Sequence, residues 1–378
     1  MAALSGKLNK LYLGLLGLLF FGLGCSMLLL PAKPFSELEN RYLAAFPAIT
    51  WEGIRSGEFG RTMERYAADQ FPLRDRWVTM KAWVEVSLNK KENNEVYAGK
   101  DGYLLQKLPE PSISLNQQMA YVRSFAEAVG IPVRFLLAPN SAEILSGKLP
   151  AYAPVSDQKA YIRQAYRLLW DAAGGVDVYE TLRAHRDQSI YYRTDHHWTA
   201  LGAYYAYQAY ARQADLIPFA QDAFRIDKVS NTFYGTLSAK SKFRHVKPDE
   251  IDIWLPKETS YSHKVTHLDD GTELDSLYDW EKLNERDQYP VFLGGNHALT
   301  AIETSEAPDR TLLLIKDSYA HAMVPFLAQH YNKICMVDLR YLNMSMKQYA
   351  AEINADEVLI LYNAATFGSD DQLVKLGW

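Results

Sequence analysis

The chain has 378 residues, of which 48% are hydrophobic, 13% aromatic and 22% charged. This length and composition allow at least one large buried core, which excludes a disordered protein. The formal net charge is −5, and no basic cluster stands out in the sequence. Because binding through nucleic-acid phosphates needs a positively charged face, we predict no nucleic acid partner.

The first segment, residues 1–31, has the pattern of a membrane anchor. Lys7 and Lys10 precede an uncharged apolar run of 20 residues, 11–30, and Pro31 ends it. A helix of that length crosses about 30 Å of hydrocarbon. Basic residues on the short N-terminal side predict that this side is cytoplasmic, which places the rest of the chain outside the cell.

A cleaved signal peptide is the alternative interpretation of this segment, because three small residues stand near its end: Gly22, Gly24 and Ser26. The apolar run continues as far as Leu30, and this favours an uncleaved anchor. The chain has only two cysteines, Cys25 in this segment and Cys335 in an apolar run. A disulfide framework or a cysteine-based metal site is therefore not expected.

After the anchor, residues 32–93 are predicted to form a helical membrane-proximal segment of mixed charge. A catalytic domain is predicted over residues 94–378, beginning with a hairpin that turns at Gly99–Gly102. Residues 228–300 are turn-rich and polar, and we interpret them as an insertion into this domain that shapes a binding cleft.

Apolar runs that are typical of buried strands alternate with helical patterns along the domain. The runs cover residues 131–138, 311–318, 333–341 and 357–363. Strands without polar alternation are buried on both faces, so this pattern predicts an α/β fold whose parallel sheet carries helices on both sides.

Two short motifs have the residue types of a serine-dependent acyl-transfer site. Ser318 follows an apolar strand and begins a helix, where its hydroxyl is exposed and free backbone N–H groups can stabilise an oxyanion. In "YYRTDHHWTALGAYYAYQAY", residues 191–210, Asp195 and His197 are two positions apart and can share one side of a loop. We therefore hypothesise a triad in which His197 is the base for Ser318 and Asp195 orients it.

Each of these residues also has a simpler interpretation. Ser318 can be a helix cap, and Trp198 can be a packing residue instead of a platform for a sugar ring. Adjacent histidines are also found as metal ligands, and "DHH" is typical of some metal-dependent phosphoesterases, whose other motifs are missing here. His321 is an alternative base, or a surface residue.

Several segments together closely resemble the bacterial family that is named for its DHHW motif. They are "SELENRYLAAFP", "DQFPLRDRW", "VYAGKDGYLL", "TDHHWTALGAYYAY", "FYGTLSAKS", "FLGGNHALT", "IKDSYAHAMVPFL" and "DLRYL". The resemblance covers nearly all of the chain after the predicted anchor. The family is similar to the SGNH-hydrolase-like proteins that are related to alginate O-acetyltransferases.

This resemblance implies an SGNH-hydrolase-like, flavodoxin-like fold in which Asp195 and His197 form the dyad, His196 is at the variable place and Ser318 is the nucleophile. Because the nucleophile of SGNH proteins usually comes first in the chain, its late position here implies a permuted arrangement. Apart from the resemblance, residues at strand ends and in a glycine-rich turn are candidate oxyanion or substrate-binding groups, with turn formation as the simpler account of each. Together with the tryptophan of the motif, the candidates are Asn140, Asn296, Asn363, Arg340, Tyr341 and Trp198.

The resemblance implies a membrane-anchored extracellular O-acetyltransferase that acts on a cell-surface or secreted polysaccharide and needs no metal or other cofactor. Acetyl-CoA is cytoplasmic, so a multi-spanning membrane O-acyltransferase is expected as the acetyl donor partner. Two alternatives stay open. One is an esterase or deacetylase with the same triad, and the other is a non-catalytic glycan-binding or assembly protein.

Overall fold

The computed structural model describes residues 12–18, 21, 22, 24, 26, 31–33, 35, 36, 41–87, 90–108, 110–169, 171–243, 246–258 and 261–378. The chain divides into two compact units, residues 1–90 and residues 91–378.

The predicted membrane anchor, residues 1–31, is not confirmed. Residues 12–18 are helical, but most of the remaining segment lies outside the described residues. In the part of the chain that the structure describes, no helix combines the length and the apolar character that a bilayer crossing requires.

After the helical residues 12–18, the described part of the first unit contains a short antiparallel strand pair and then three helices. Thr50 caps the first helix, since its hydroxyl accepts a hydrogen bond from the Gly53 N–H at 3.1 Å. The elements are β1 (Phe35–Ser36), β2 (Arg41–Tyr42), α1 (Trp51–Arg55), α2 (Glu58–Asp69) and α3 (Arg74–Ser87).

The second unit is built on an eight-stranded mixed sheet with the spatial order β11-β10-β12-β14-β13-β15-β6-β7. Two smaller sheets accompany it, β3-β4-β5 and β8-β9. The strands are β3 (Glu92–Asn93), β4 (Val96–Ala98), β5 (Leu104–Gln106), β6 (Val133–Ala138), β7 (Gly174–Gly175), β8 (Phe224–Phe233), β9 (Asp249–Pro256), β10 (His263–His267), β11 (Glu273–Leu274), β12 (Leu299–Thr304), β13 (Thr311–Lys316), β14 (Lys333–Val337) and β15 (Glu357–Asn363).

Helices lie in half of the connections between these strands, and one more follows β15. They are α4 (Leu115–Val129), α5 (Ser141–Ile144), α6 (Gln158–Leu169), α7 (Tyr179–Ala184), α8 (Ala200–Gln213), α9 (Thr236–Ser241), α10 (Val324–Leu327), α11 (Met346–Glu352) and α12 (Ala364–Phe367). Every residue of β15 is buried, as are all but the first residue of β13 and of β14. A strand buried at successive positions has both of its faces covered, as the apolar runs in the sequence predict.

The sheet is parallel only over the five strands β14-β13-β15-β6-β7. Counted from β13 as the first strand, this order is 2-1-3-4-5, the order of a flavodoxin-like sheet. Along the chain, the first of these five parallel strands is β6, which is the fourth strand of that order. The topology is therefore permuted. The prediction of a wholly parallel sheet is wrong, because β12, β10 and β11 extend it in antiparallel fashion. A short turn, residues 268–272, joins β10 to β11 as a hairpin, which requires antiparallel pairing, and longer connections place β12 between β10 and β14.

One buried ion cluster joins β6 and β15. The Glu357 side chain is 1% exposed; its carboxylate lies 2.5 Å from Arg134 and 2.6 Å from Arg310, and it accepts a hydrogen bond from the Tyr331 hydroxyl at 2.6 Å. We expect Glu357→Ala to lower the free energy of unfolding by about 3 kcal/mol, because it leaves two guanidinium groups without their partner. Chemical denaturation should show this loss. The exposed Glu352 on α11 provides the matched control, and an equal effect of Glu352→Ala would contradict the explanation.

The buried histidine His330 is expected to make the free energy of unfolding depend on pH. His330 Nε2 lies 2.7 Å from the Tyr207 hydroxyl, and burial, with Arg310 nearby, lowers the pKa of His330 to about 4. The unfolded chain binds a proton at this residue below about pH 6.5, whereas the folded chain does not until about pH 4. The contribution of His330 to the free energy of unfolding is therefore complete above about pH 6.5, and it is lost as the pH falls towards 4. We expect wild type to lose more unfolding free energy than His330→Gln between pH 7 and pH 4.5. Equal losses would show that His330 does not contribute.

Candidate active site

The polar residues at the carboxyl ends of β13 and β15 meet at the point where the strand order reverses. β13 is followed directly by Asp317 and Ser318, and β15 ends at Asn363. In open α/β sheets this reversal point is where ligands bind, because neighbouring connections leave the sheet in opposite directions and open a crevice.

The structure places Ser318, His197 and Asp195 in one hydrogen-bonded chain. The Ser318 Oγ lies 2.7 Å from His197 Nε2, and His197 Nδ1 lies 2.6 Å from Asp195 Oδ1. Ser318 is half-buried, while His197 and Asp195 are buried. The distances are those of a serine whose proton can pass to an imidazole that a carboxylate orients.

The loop that carries Asp195 and His197 is closed by its own flanks. Tyr191 and Trp198 form an antiparallel bridge, and Thr199 caps α8 by accepting a hydrogen bond from the Gly202 N–H at 3.3 Å. Within the loop, Asp195 Oδ1 also accepts from the backbone N–H of His197 at 2.9 Å. The spacing of two residues therefore produces a tight turn in which the carboxylate and the imidazole face each other.

The second carboxylate oxygen of Asp195 is held by the start of α9. Asp195 Oδ2 accepts hydrogen bonds from the backbone N–H and the hydroxyl of Thr236, at 2.7 and 2.9 Å. The preceding residue, Gly235, allows this approach, since a Cβ atom there would lie 2.3 Å from the Cβ of Asp195. All four hydrogen bonds to Asp195 come from the protein, and they fix both oxygens of the carboxylate.

A second carboxylate anchors the same loop from β9. Asp249 accepts hydrogen bonds from the N–H groups of Arg193 and Thr194, at 2.8 and 2.7 Å, and from the Thr194 hydroxyl at 2.6 Å. The Thr194 hydroxyl oxygen in turn accepts from the Gly235 N–H at 3.0 Å. Strand β9 thereby connects the loop of Asp195 to the backbone that binds its carboxylate.

The electrostatics of the site keep Asp195 ionised. Burial alone would raise the pKa of Asp195, but the neighbouring His197 and His196, with the hydrogen bonds from His197, hold it well below its usual range. Burial and the proximity of His197 lower the pKa of His196 to about 4. At neutral pH the site thus holds a carboxylate and an uncharged His196.

Aromatic rings enclose the His197 imidazole. Tyr289 stacks on it with ring centroids 3.7 Å apart and an angle of 5° between the planes, and the His196 ring centroid lies 3.8 Å away. The Tyr289 hydroxyl donates a hydrogen bond to the Ser318 carbonyl at 3.1 Å. Tyr289 therefore orients the base and supports the backbone of the nucleophile.

Asn140 and Asn363 were predicted as oxyanion or substrate groups, but their amide hydrogens are already in use. The Asn363 amide donates to Asp317 Oδ2 and to the Thr366 hydroxyl, both at 2.7 Å. The Asn140 amide donates to Asn363 Oδ1 and to the Tyr319 hydroxyl, both at 3.2 Å. These asparagines hold the strand ends together and leave no amide hydrogen for a substrate oxygen.

A backbone N–H beside the Ser318 hydroxyl is a further candidate for the role that these amides were expected to fill. Asp317 Oδ1 accepts a hydrogen bond from the Tyr319 N–H at 2.9 Å and so caps the short helical turn that starts at Ser318. The Ser318 N–H has no acceptor among the described residues. It remains available to an oxyanion that forms next to the Ser318 oxygen.

The other predicted substrate residues do not join the triad. The expectation that Trp198 forms a sugar platform is wrong, because the ring is 0% exposed and its Nε1–H donates to the Tyr319 carbonyl at 2.8 Å. Arg340 pairs with Asp338 at 2.6 Å and lies over the exposed ring of Tyr341. Asn296 is exposed, and no hydrogen bond links it to the triad.

His321 does not take the alternative role of base. It is buried, and its Nε2 lies 2.9 Å from the ammonium group of the buried Lys316. Burial and the charge of Lys316 lower the pKa of His321 well below its usual range. No hydrogen bond joins its ring to the Ser318 hydroxyl, which is already bonded to His197.

Among the residues that the structure describes, two groups of side chains have the spacing of metal ligands. The first is Asp195, His196 and His197, where the facing atoms of Asp195 and His197 already hydrogen-bond each other. The second is the more exposed group of Asp269, Asp270 and His297, in which His297 Nδ1 lies 3.0 Å from Asp269 Oδ1. The hydrogen bonds of the first group favour proton transfer over metal binding as its chemistry.

The structure also reveals site residues that the sequence reasoning did not single out, namely Gly235, Thr236 and Tyr289. All three lie in the segment interpreted as an insertion that shapes a binding cleft, and Thr236 and Tyr289 contact the triad. The pair Gly235-Thr236 occurs in the quoted motif "FYGTLSAKS", and that motif was the available signal. Tyr289 had no comparable signal.

Comparison with known proteins identifies the family. The sequence model described as "DHHW protein" matches residues 145–337, just over half of the chain. Comparison with curated protein sequences finds no significant match.

Solved structures show the same fold. A DHHW family protein from Eubacterium siraeum is 24% identical, with a TM-score of 0.65, over 75% of this chain and 95% of the other. PatB1 of Bacillus cereus, in a structure with a sulfonyl adduct, is 23% identical, with a TM-score of 0.61, over 72% and 96%. The O-acetyltransferase domain of Pseudomonas putida AlgJ, 16% identical over 75% and 98%, has a TM-score of 0.47, too weak a likeness to carry an argument. With its DHHW sequence at the centre of the site and more than half of its length matched, the chain belongs to the DHHW family.

Proposed function

We propose that this protein is a serine-dependent O-acyltransferase that moves acetyl groups onto a polysaccharide of the cell surface or of the secreted matrix. The observation that carries the proposal is the chain of hydrogen bonds from Ser318 through His197 to Asp195, at the carboxyl ends of the central strands. A buried carboxylate that fixes one imidazole nitrogen leaves the other free to activate the serine.

In the proposed reaction, Ser318 Oγ attacks the acyl carbonyl and passes its proton to His197 Nε2. The Ser318 N–H stabilises the oxyanion, and His197 returns the proton to the leaving group, which produces an acyl-enzyme. An acceptor hydroxyl then gives its proton to His197 and attacks the acyl carbon. The bond to Ser318 breaks, and the Ser318 oxygen takes the proton from His197.

Two comparisons support this proposal. The PatB1 structure, which shares the fold, is one with a sulfonyl adduct, and sulfonyl reagents are electrophiles that attach to nucleophilic groups. The sequence motifs of this chain resemble those of proteins related to alginate O-acetyltransferases, which supports acetyl as the group and a polysaccharide as the acceptor.

The sequence also leads us to propose where the enzyme works. The apolar run 11–30 anchors it in the cell membrane with the domain outside the cell, and a multi-spanning membrane O-acyltransferase supplies the acetyl group. Loss of the protein from the membrane fraction after deletion of residues 11–30 would support this location, and unchanged fractionation would count against it.

Intact mass spectrometry tests the proposed chemistry. The full chain is incubated with p-nitrophenyl acetate, and the acetyl adduct and its decay are followed with and without oligosaccharides. We expect an adduct at Ser318 that oligosaccharides discharge faster than water does. Discharge by water alone at all oligosaccharide concentrations would identify an esterase. A folded wild-type chain that forms no adduct would reject the enzyme and favour a glycan-binding protein.

A further inference from the structure

The variable residue of the motif, His196, has a fixed hydrogen-bonding state. Its Nδ1 lies 2.7 Å from the Thr236 hydroxyl, which is also 2.9 Å from Asp195 Oδ2. An ionised carboxylate only accepts hydrogen bonds, so the single hydroxyl hydrogen of Thr236 goes to Asp195. His196 Nδ1 must then donate to the hydroxyl oxygen. Because the ring is uncharged, its other nitrogen, Nε2, carries no hydrogen and is an acceptor.

That acceptor faces the open side of the site. The His196 side chain is 26% exposed, compared with 6% for His197 and 0% for Asp195. Among the described residues, His196 Nε2 has no hydrogen-bond partner, and this nitrogen is not fully buried. It therefore reaches solvent, directly beside the imidazole that exchanges protons with Ser318.

The surrounding charge indicates which ligand group would bind there. The acidic side chains that act on the His196 ring are those of Asp195, Asp317 and Asp287. An acceptor nitrogen among carboxyl groups disfavours phosphate or carboxylate oxygens, which have no hydrogen to donate. A neutral hydroxyl, which can donate, is the group that fits.

We propose that His196 Nε2 accepts a hydrogen bond from a second hydroxyl of the acceptor sugar, next to the hydroxyl that attacks the acyl-enzyme. The inference rests on the proposed function, since only a transferase has an alcohol acceptor to orient. His196 exchanges no proton in the reaction. It turns the acceptor so that the attacking hydroxyl lies against His197, and it thereby selects vicinal diols over isolated alcohols.

A pair of small acceptors tests this role. The full-length protein is acetylated with p-nitrophenyl acetate in the presence of either propane-1,2-diol or propan-1-ol. The share of acetyl groups that passes to the alcohol, and not to water, is then measured for each alcohol. We expect wild type to favour the diol by about three- to tenfold, the usual worth of one hydrogen bond. His196→Phe, which retains an aromatic ring but removes both nitrogens, should reduce the ratio of diol to monoalcohol to about one.

Three further variants make the result specific. Thr236→Val removes the hydroxyl that fixes the tautomer of His196 and should reduce the ratio. Thr236→Ser retains a hydroxyl and should keep the wild-type ratio. His185, a histidine that stacks on Tyr205, is the matched control, and His185→Phe should keep the wild-type ratio. Because the ratio compares two acceptors on the same acyl-enzyme, a general weakening of the triad slows both transfers equally and leaves the ratio unchanged.

The inference is overturned if wild type shows no preference for the diol, or if His196→Phe keeps the preference. Failure of the proposed function looks different, since in that case either no acetyl adduct forms at Ser318 in wild type, or water alone discharges the adduct and neither alcohol is acetylated.

Discussion

Replacing Ser318 with alanine is expected to abolish acetyl-adduct formation and to lower turnover of p-nitrophenyl acetate by about 10⁴-fold or more. The variant removes the only atom that can form the acyl-enzyme in the proposed reaction, while His197 and Asp195 retain their hydrogen bond of 2.6 Å. Since the members of a triad act as a unit, a second change, His197→Ala, should cost little more in the Ser318→Ala background. Ester turnover and intact mass measure both effects.

Ser369 supplies the control for this experiment. It is exposed, and its hydroxyl donates within its own helical turn, to the Ala365 carbonyl at 3.1 Å. Ser369→Ala should therefore form the adduct at the wild-type rate. If Ser318→Ala still forms an adduct, another nucleophile performs the reaction and the proposed mechanism is wrong.

The substitution Gly235→Ala is expected to lower ester turnover by about 100-fold, although residue 235 is not a member of the proposed triad. The added Cβ would lie 2.3 Å from the Asp195 Cβ and 2.4 Å from Asp195 Oδ2, which forces the carboxylate or the start of α9 to move. A displacement of about 1 Å in a catalytic constellation costs about 10²-fold in rate. Gly235 has a φ of −82°, a backbone conformation that alanine adopts readily, so the effect comes from space alone.

Gly147 makes the comparison sharp. A Cβ atom at residue 147 meets nothing within 4 Å, and Gly147→Ala should leave turnover unchanged. Turnover of the purified proteins, together with the thermal midpoint of each, separates loss of the site from loss of the fold. Full activity of a folded Gly235→Ala protein would show that the contact between α9 and Asp195 does not hold the triad.

The sequence predicted the central part of the fold because each buried strand is a continuous apolar run. Those runs correspond to β6, β13, β14 and β15, and the late position of Ser318 agrees with the permuted strand order. The antiparallel strands β10 to β12 were harder to place. Their exposed positions alternate with buried ones, and a hairpin with that pattern can join a sheet edge or stand alone.

The candidate triad could be proposed from the sequence because its chemistry depends on local signals. Asp195 and His197 are two residues apart, and Ser318 follows directly on a strand. The supporting residues have no such local chemical pattern, although Thr236 stands in the motif "FYGTLSAKS". Thr236 meets Asp195 across 41 positions, and Tyr289 meets Ser318 across 29, so their roles depend on how the chain folds back.

The predicted oxyanion residues show a different limit of sequence reasoning. Asn140 and Asn363 do lie at strand ends, as expected, but a side-chain amide has only two hydrogens. Whether those hydrogens face a substrate or a neighbouring side chain depends on tertiary contacts, here with Asp317 and Tyr319. Trp198 is a similar case, because a tryptophan in a motif can equally pack in the core or contact a ligand.

The order of the strands has a consequence for how the protein folds during its synthesis. β15, the last strand of the chain, lies between β13 and β6, so the middle of the sheet stays open until a ribosome has made that strand. Pairing of β15 with β6 must close a loop that spans most of the domain, and such long-range closure slows folding. The nascent chain therefore contains Asp195 and His197 before it contains Ser318, which follows His197 by 121 residues, and before the sheet is finished. The proposed triad therefore has no complete sheet to hold it until the chain has been translated through β15.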